Sequence, residues 1–147
     1  MATFNAPDLI TKNRHLGEFG NATLCWGAVT PTAGALNDVY RPVIIPGGLE
    51  VTDISINFPD MDTGGTSFAV KIGFSPVNAS DGPDADDDYF SVANTFLSGA
   101  AGTRWLSFDP IKFERPVFLI MTVTVAATTF ATGKITAKVY GDGLGTK

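Results

Sequence analysis

Glycine and proline cut this chain at short intervals, and between the cuts the apolar residues fall on every second position. A strand sends successive side chains to opposite faces, whereas an amphipathic helix repeats every 3.6 residues. The stretch "SFAVKIGF" shows the pattern well. Phe68, Val70, Ile72 and Phe74 share one face, and Ala69, Lys71 and Gly73 share the other. "KITAKVYG" places Ile135, Ala137 and Val139 inward and Lys134, Thr136 and Lys138 outward. "LEVTDISINF" has Leu49, Val51, Ile54, Ile56 and Phe58 as its apolar set, with one skipped step between Val51 and Ile54. That skip predicts a β-bulge near Thr52 and Asp53. "VFLIMTVTV" is almost continuously apolar, which predicts a central strand covered on both faces.

Strands are expected over residues 22–30, 38–45, 49–58, 67–74, 104–108, 117–126 and 134–141. Turns fall at "PGG" (46–48), "MDTGGT" (61–66) and "FATGK" (130–134). Pro110 and Pro116 bracket "IKFER", which suits a sheet edge because proline cannot donate to a ladder. The expected fold is all-β, a jelly roll or other two-sheet sandwich of about eight strands with one short helix in a long loop. An immunoglobulin-like sandwich is the alternative. Residues 1–21 are polar and irregular and read as an N-terminal arm, and residues 22–147 read as one sandwich domain.

The balance of residue types narrows the function. A length of 147 residues suits a single domain, and 44% hydrophobic residues supply its core. Only 17% are charged, few for a small soluble monomer, so neutral surface is left for another chain to cover. The net charge of −5 argues against nucleic acid, whose phosphates need clustered Lys and Arg, and against an anionic membrane. "PVFLIMTVTVAATTFA" falls short of the ~20 apolar residues that span a bilayer. "MATFNAPDLITKNRH" has no basic segment followed by an apolar run, so synthesis without export is expected. The lone Cys25 excludes an intrachain disulfide and is expected to be a small buried hydrophobe. His15 is the only histidine and is read as a surface or interface residue, leaving little for a triad or a His-rich metal site.

"DGPDADDDYFSVANTF", residues 81–96, is the most charged stretch. Asp84, Asp86 and Asp88 open like an EF-hand loop, but the sixth and twelfth positions, Tyr89 and Thr95, should be Gly and Glu. A calcium site of another kind is a minor alternative. Acid–base catalysis needs carboxylates pushed apart in pKa by burial, and these are crowded in a polar loop with no His or Cys beside them. The favoured reading makes Asp84, Asp86, Asp87 and Asp88 the cap of a short helix. Tyr89 or Phe90, Ala93, and Phe96 or Leu97 then recur at helical spacing, and Gly99 and Gly102 end it. Trp26, Trp105 and Tyr40 could stack a sugar or a base, but isolated aromatics in a β protein read first as core. "PGGLE" and "DTGGTS" lack the Lys and helix of a phosphate loop.

From Gly48 onward the order of features resembles a known family. "IPGGLEVTDISINF" is similar to an opening strand led by Pro and Gly, and "GGTSFAVKIGFSP" to a Gly-led strand. "DADDDYFSVANTFLSGAAGT" resembles an acid-led Asp-x-Asp-Tyr-Phe segment followed by Ala and Gly. "PVFLIMTVTVAATTFATGKITAKVYG" resembles a strand, a small-residue turn with Gly-Lys, and a last strand ending in Tyr. Together they resemble the capsid cement or decoration proteins of tailed bacteriophages, including the jelly-roll cement protein of a Bordetella phage. The resemblance implies a non-enzymatic jelly roll without cofactors on the outside of the virion. It implies a homo-oligomer, dimer or trimer, that clamps neighbouring major capsid protein subunits. On that expectation the contacts come from Phe4, Leu9, Ile10, Arg14, Leu16 and Phe19 of the arm and from the acidic loop. The competing expectation is a lectin-like or receptor-binding module of a phage fibre, using Trp26, Trp105 or Tyr40. Exposed tryptophans whose fluorescence shifts with sugar favour that module, and buried, unresponsive ones favour cement. A small hydrolase or isomerase is disfavoured by the shortage of His and Cys.

Overall fold

A computed structural model of the protein describes residues 1–5 and 22–146. The described strands are β1 (Thr3–Asn5), β2 (Ala22–Val29), β3 (Val39–Arg41), β4 (Ile44–Ile45), β5 (Leu49–Phe58) and β6 (Ala69–Pro76). They continue with β7 (Asp86–Asn94), β8 (Gly102–Trp105), β9 (Ile111–Lys112), β10 (Val117–Val125) and β11 (Ile135–Gly143). One sheet runs β1-β3-β10-β6-β7, with β4 also on β10. The other runs β2-β11-β5-β8, with β9 also on β5. β3 and β4 act as one interrupted strand along β10, as β8 and β9 do along β5. Besides β1, four strands then lie in each sheet. Every connection crosses between sheets except β6 to β7, which is the jelly-roll arrangement.

Alternation carries the sequence into this fold. Val51, Ile54 and Ile56 of β5, Val70 and Ile72 of β6, Val117, Leu119, Met121 and Val123 of β10, and Ile135, Ala137 and Val139 of β11 are all fully buried between the sheets. β10 is central, as its apolar run predicts. Its outward Ile120 is nearly buried too, and its outward Phe118 lies under the Arg41 guanidinium. The expected bulge is present. Tyr140 faces Asp53 and Gly141 faces Val51, so Thr52 has no partner on β11. Its hydroxyl donates to the Tyr140 carbonyl at 3.4 Å. Gly141 fits there because a Cβ would run into the Glu50 carbonyl.

The expected helix after the acidic stretch is not formed. Asp86–Asn94 is strand β7, and the helical turn among the described residues is a single turn of 3-10 helix, Phe96–Ser98. Asn94 rather than an aspartate serves that turn, its side chain accepting from the Phe96 N–H at 3.2 Å. The reason lies in the pairing of β7 with β6. Phe74 faces Asp86, Ile72 faces Ser91 and Val70 faces Asn94, so β7 uses eight residue steps against four on β6. These extra residues break the period of two and mimic a helical spacing. They also let two successive aromatics serve one cluster. Phe90 packs on Phe108 at 4.8 Å, Tyr89 lies 5.8 Å from Phe74, and Phe74 packs edge-on to Phe113 at 4.8 Å. The bulged backbone sits directly over Gly73, where a Cβ would collide with the Asp86 carbonyl oxygen and the Asp87 main chain. Gly73→Ala should therefore destabilise the protein by about 1–3 kcal/mol in urea unfolding. An unchanged midpoint would mean that β7 does not approach β6 so closely.

At the other end of the sandwich, buried Asp62 joins the turn after β5 to the connection between β10 and β11. The Thr129 N–H donates to it at 2.9 Å, and Asp62 forms an isolated bridge with Phe130. Chiefly this Thr129 N–H, with the main-chain N–H groups of Thr128, Gly64 and Phe68 in its surroundings, holds the carboxyl below its ordinary value against the opposing effect of burial, while Oδ2 has no hydrogen-bond partner among the described residues. A lowered folded pKa means that the carboxylate stabilises the fold above the ordinary carboxylate range, and that this is lost as pH falls through and below it. Wild type should thus exceed Asp62→Asn in stability at pH 6, and the gap should narrow by pH 3. A gap independent of pH in urea unfolding would show that the charge plays no part.

Candidate partner-binding surface

The face of the β2-β11-β5-β8 sheet turned away from the core carries the largest aromatic groups in contact with solvent. Alternation explains why. Cys25, Val139 and Ile54 point into the core, so their neighbours Leu24, Trp26, Lys138, Tyr140 and Ser55 point out. The register then sets Trp26, Lys138, Ser55 and Trp105 in one row across all four strands. Tyr140 stands in the next row, between Leu24 and Asp53. Trp26 and Trp105 are each 57% exposed, and Leu24 is 39% exposed. With a strand spacing of about 4.8 Å, three steps put the two tryptophan backbones roughly 14 Å apart. Trp105 stacks on Tyr140 with ring centroids 5.5 Å apart and planes 26° apart. Ser55 is buried within this row. Beside it Asn57 donates from Nδ2 to Thr103 Oγ1 at 2.7 Å.

Two stacked rings and a third across the sheet put large apolar groups in solvent, with hydrogen-bonding groups beside them. Such surfaces anchor protein partners through Trp and Tyr, and flat rings also stack on sugars. The expectation that Trp26 and Trp105 belong to the core is thus corrected, while Tyr40 is fully buried with its hydroxyl donating to the Ala33 carbonyl at 2.8 Å. Burial, and then the charge of Asp38, push the Tyr40 phenol above its ordinary range. Cys25 is buried beneath the aromatic face, and desolvation pushes its thiol up to about 11. The signal for Trp26 was present in the sequence: a buried Cys25 in a strand forces the next residue outward. Leu24, Lys138 and Tyr140 were missed because the row exists only once β2, β11 and β5 are aligned.

The residues named from sequence are placed as follows. Phe4, on β1, is half-buried with its ring 5.7 Å from Tyr40. Leu9, Ile10, Arg14, His15, Leu16 and Phe19 lie outside the described residues. Asp84 and Asp88 are exposed, and Asp86 accepts from the Asp88 N–H at 3.3 Å. Asp87 pairs with Lys71 at 2.6 Å, and nearby Asp81 pairs with Arg115 at 3.2 Å. These four aspartates therefore sit before and within a strand and cap no helix. Among the described residues no three His, Cys, Asp or Glu side chains converge as a metal site. No described helix is long and apolar enough to cross a membrane.

No protein-family model matches the chain, and no curated protein matches it in sequence. Solved structures do. A chain in the capsid of Ralstonia phage GP4 superposes with a TM-score of 0.77 at 18% identity, over 99% of this chain and 100% of that one. What the two share is the fold. A chain of the cyanophage Pam1 capsid asymmetric unit gives 0.67 at 19% identity, over 86% of this chain and 88% of that one. A chain in the acid-stable capsid of Helicobacter pylori bacteriophage KHP30 gives 0.56 at 15% identity, over 87% and 91%.

With both indoles in solvent, acrylamide should quench most of the native tryptophan emission. Trp26→Ala should move the unfolding free energy by no more than about 1 kcal/mol. A protected emission, or a loss of the ~3–5 kcal/mol typical of a truncated core aromatic, would overturn this placement.

Proposed function

We propose that the protein is a virion structural protein, a capsid cement or decoration subunit on the outside of a phage head that stabilises the major capsid protein lattice. The observation that carries the proposal is the likeness along 99% of the chain to a chain in a phage capsid. The aromatic face adds to it. A subunit that must leave water for a protein surface needs a few large anchors, and Trp26, Trp105 and Tyr140 supply them. The subunit works as a homo-oligomer, dimer or trimer, without enzymatic activity or cofactor, and is made in the host cytoplasm. The arm, residues 1–21, and the acidic stretch at 84–88 add further contacts with the capsid.

The mechanism is mass action. A subunit that binds the assembled lattice and not its dispersed parts stabilises the lattice by its binding free energy at every site. Modest contacts, repeated over a closed shell, then resist the pressure of packaged DNA.

Co-sedimentation with heads of the source phage that lack the protein tests this. Saturable binding at a fixed copy number per shell is expected, unchanged by EDTA. Trp26→Ala combined with Trp105→Ala should lower the affinity at least ten-fold without unfolding the protein. Failure of the wild type to bind heads would reject the proposal.

One observation favours a second reading. Both tryptophans are exposed on a single sheet face, as a lectin-like module of a phage fibre requires. A glycan array in which one sugar class binds, and shifts the tryptophan emission, would select that reading if heads do not bind.

A further inference from the structure

The opposite sheet has a groove of its own, about 600 Å³ in volume, on its outer face. Ile120 and Thr122 of β10 line its floor, Met1 and Val39 stand on one side, and Ala85 and Asp87 stand on the other. Two further lining residues are polar and unpaired. The Arg41 Nε and the Ser75 Oγ are both buried, and neither has a hydrogen-bond partner among the described residues. They flank the same ring: the Arg41 guanidinium lies 4.5 Å above Phe118, and Phe118 faces Ser75 across the β10–β6 ladder. Asp87, the carboxylate in the groove, is already neutralised by Lys71 at 2.6 Å. Among the described residues the Arg41 guanidinium has no carboxylate partner in this groove, which it lines beside Ile120 and Val39.

Buried polar groups without partners are costly and rare, and two that flank one ring mark a place where an acceptor from outside would be stabilising. A guanidinium over an aromatic ring can still offer its terminal N–H groups to a carboxylate, which pairs with arginine more strongly than a neutral acceptor does. A compact inorganic ion would leave Ile120, Val39 and Met1 uncovered. An extended chain segment would cover them while delivering its carboxylate.

We propose that this groove receives an extended segment of a shell protein, whose Asp or Glu carboxylate pairs with Arg41 and accepts from Ser75. The inference rests on the capsid reading and adds a second contact, on the face opposite the aromatic one. The acidic side chain is the recognition element, and the apolar floor takes the residues beside it.

Two experiments separate this inference from the reading beneath it. In the first, the ¹⁵N-labelled protein is titrated with the pentapeptide acetyl-Ala-Val-Glu-Val-Ala-amide and with its Gln counterpart. The Arg41 Nε–H and Ser75 amide signals should shift saturably with the Glu peptide and at least ten-fold more weakly with the Gln peptide. Arg41→Gln, which keeps the aliphatic stem on Phe118, should abolish the response at an unchanged melting temperature. No response, or equal responses to the two peptides, would overturn the inference. In the second, Arg41→Gln should bind heads at least ten-fold more weakly than wild type, and carbodiimide should couple the Arg41→Lys variant at position 41 to an Asp or Glu of a shell protein. Wild-type binding matched by Arg41→Gln would overturn the groove and leave the capsid reading standing. Absence of wild-type binding would overturn the capsid reading, and the peptide titration would then decide the groove alone.

Discussion

The inner strands of the sandwich give alternate side chains to the layer between the sheets, and that layer has no room for the other set. Val70, Ile72, Leu119, Met121, Val139 and Ile54 are fully buried there, from strands far apart in sequence. The layer thereby decides what faces solvent. Trp26 is outside because Cys25 is inside, and Tyr140 because Val139 is inside. Arg41 likewise follows buried Tyr40 and lies over Phe118, which alternates with Val117 and Leu119. Both outer faces discussed above are consequences of one packing problem solved between them.

Most of the framework could be read from residues. The alternation in β5, β6 and β11, the central place of β10 and the bulge at Thr52 all follow from where apolar side chains stand along the chain. β7 was illegible for a physical reason. Its extra residues are held by the packing of Tyr89 and Phe90 on Phe74 and Phe108 and by the absence of a Cβ at Gly73, and those partners all lie outside residues 86–94. A strand whose irregularity is set by its neighbour carries no period of its own. The aromatic face was half legible. The exposure of Trp26 could have been inferred from Cys25, but its alignment with Trp105 needs the pairing of β2, β11, β5 and β8.

The acidic stretch shows how charge can mislead. Five aspartates in eight positions invite a metal, a catalyst or a helix cap. The fold uses them modestly, as an ion pair with Lys71, an ion pair with Arg115 and a short contact between Asp86 and Asp88. Surface pairs of this kind contribute little to stability. The charged group with the more demanding surroundings is Arg41, which nothing in the sequence set apart. Its neighbours come from β10 and β6, strands that lie far along the chain.

The order of strands also bears on how the chain reaches this state. β11 is the last of the described strands, yet it lies inside its sheet, hydrogen-bonded to β2 on one side and β5 on the other. Until residues 135–143 are available, β2 has no neighbour to pair with and one side of β5 stays open. The sheet is therefore completed by its final segment, through contacts spanning more than 100 residues of chain. Long-range closure of this kind is slow and leaves apolar edges uncovered meanwhile. A chain interrupted before β11 would present the unpaired edges of β2 and β5 together, and its fate would be aggregation or proteolysis rather than a smaller folded domain.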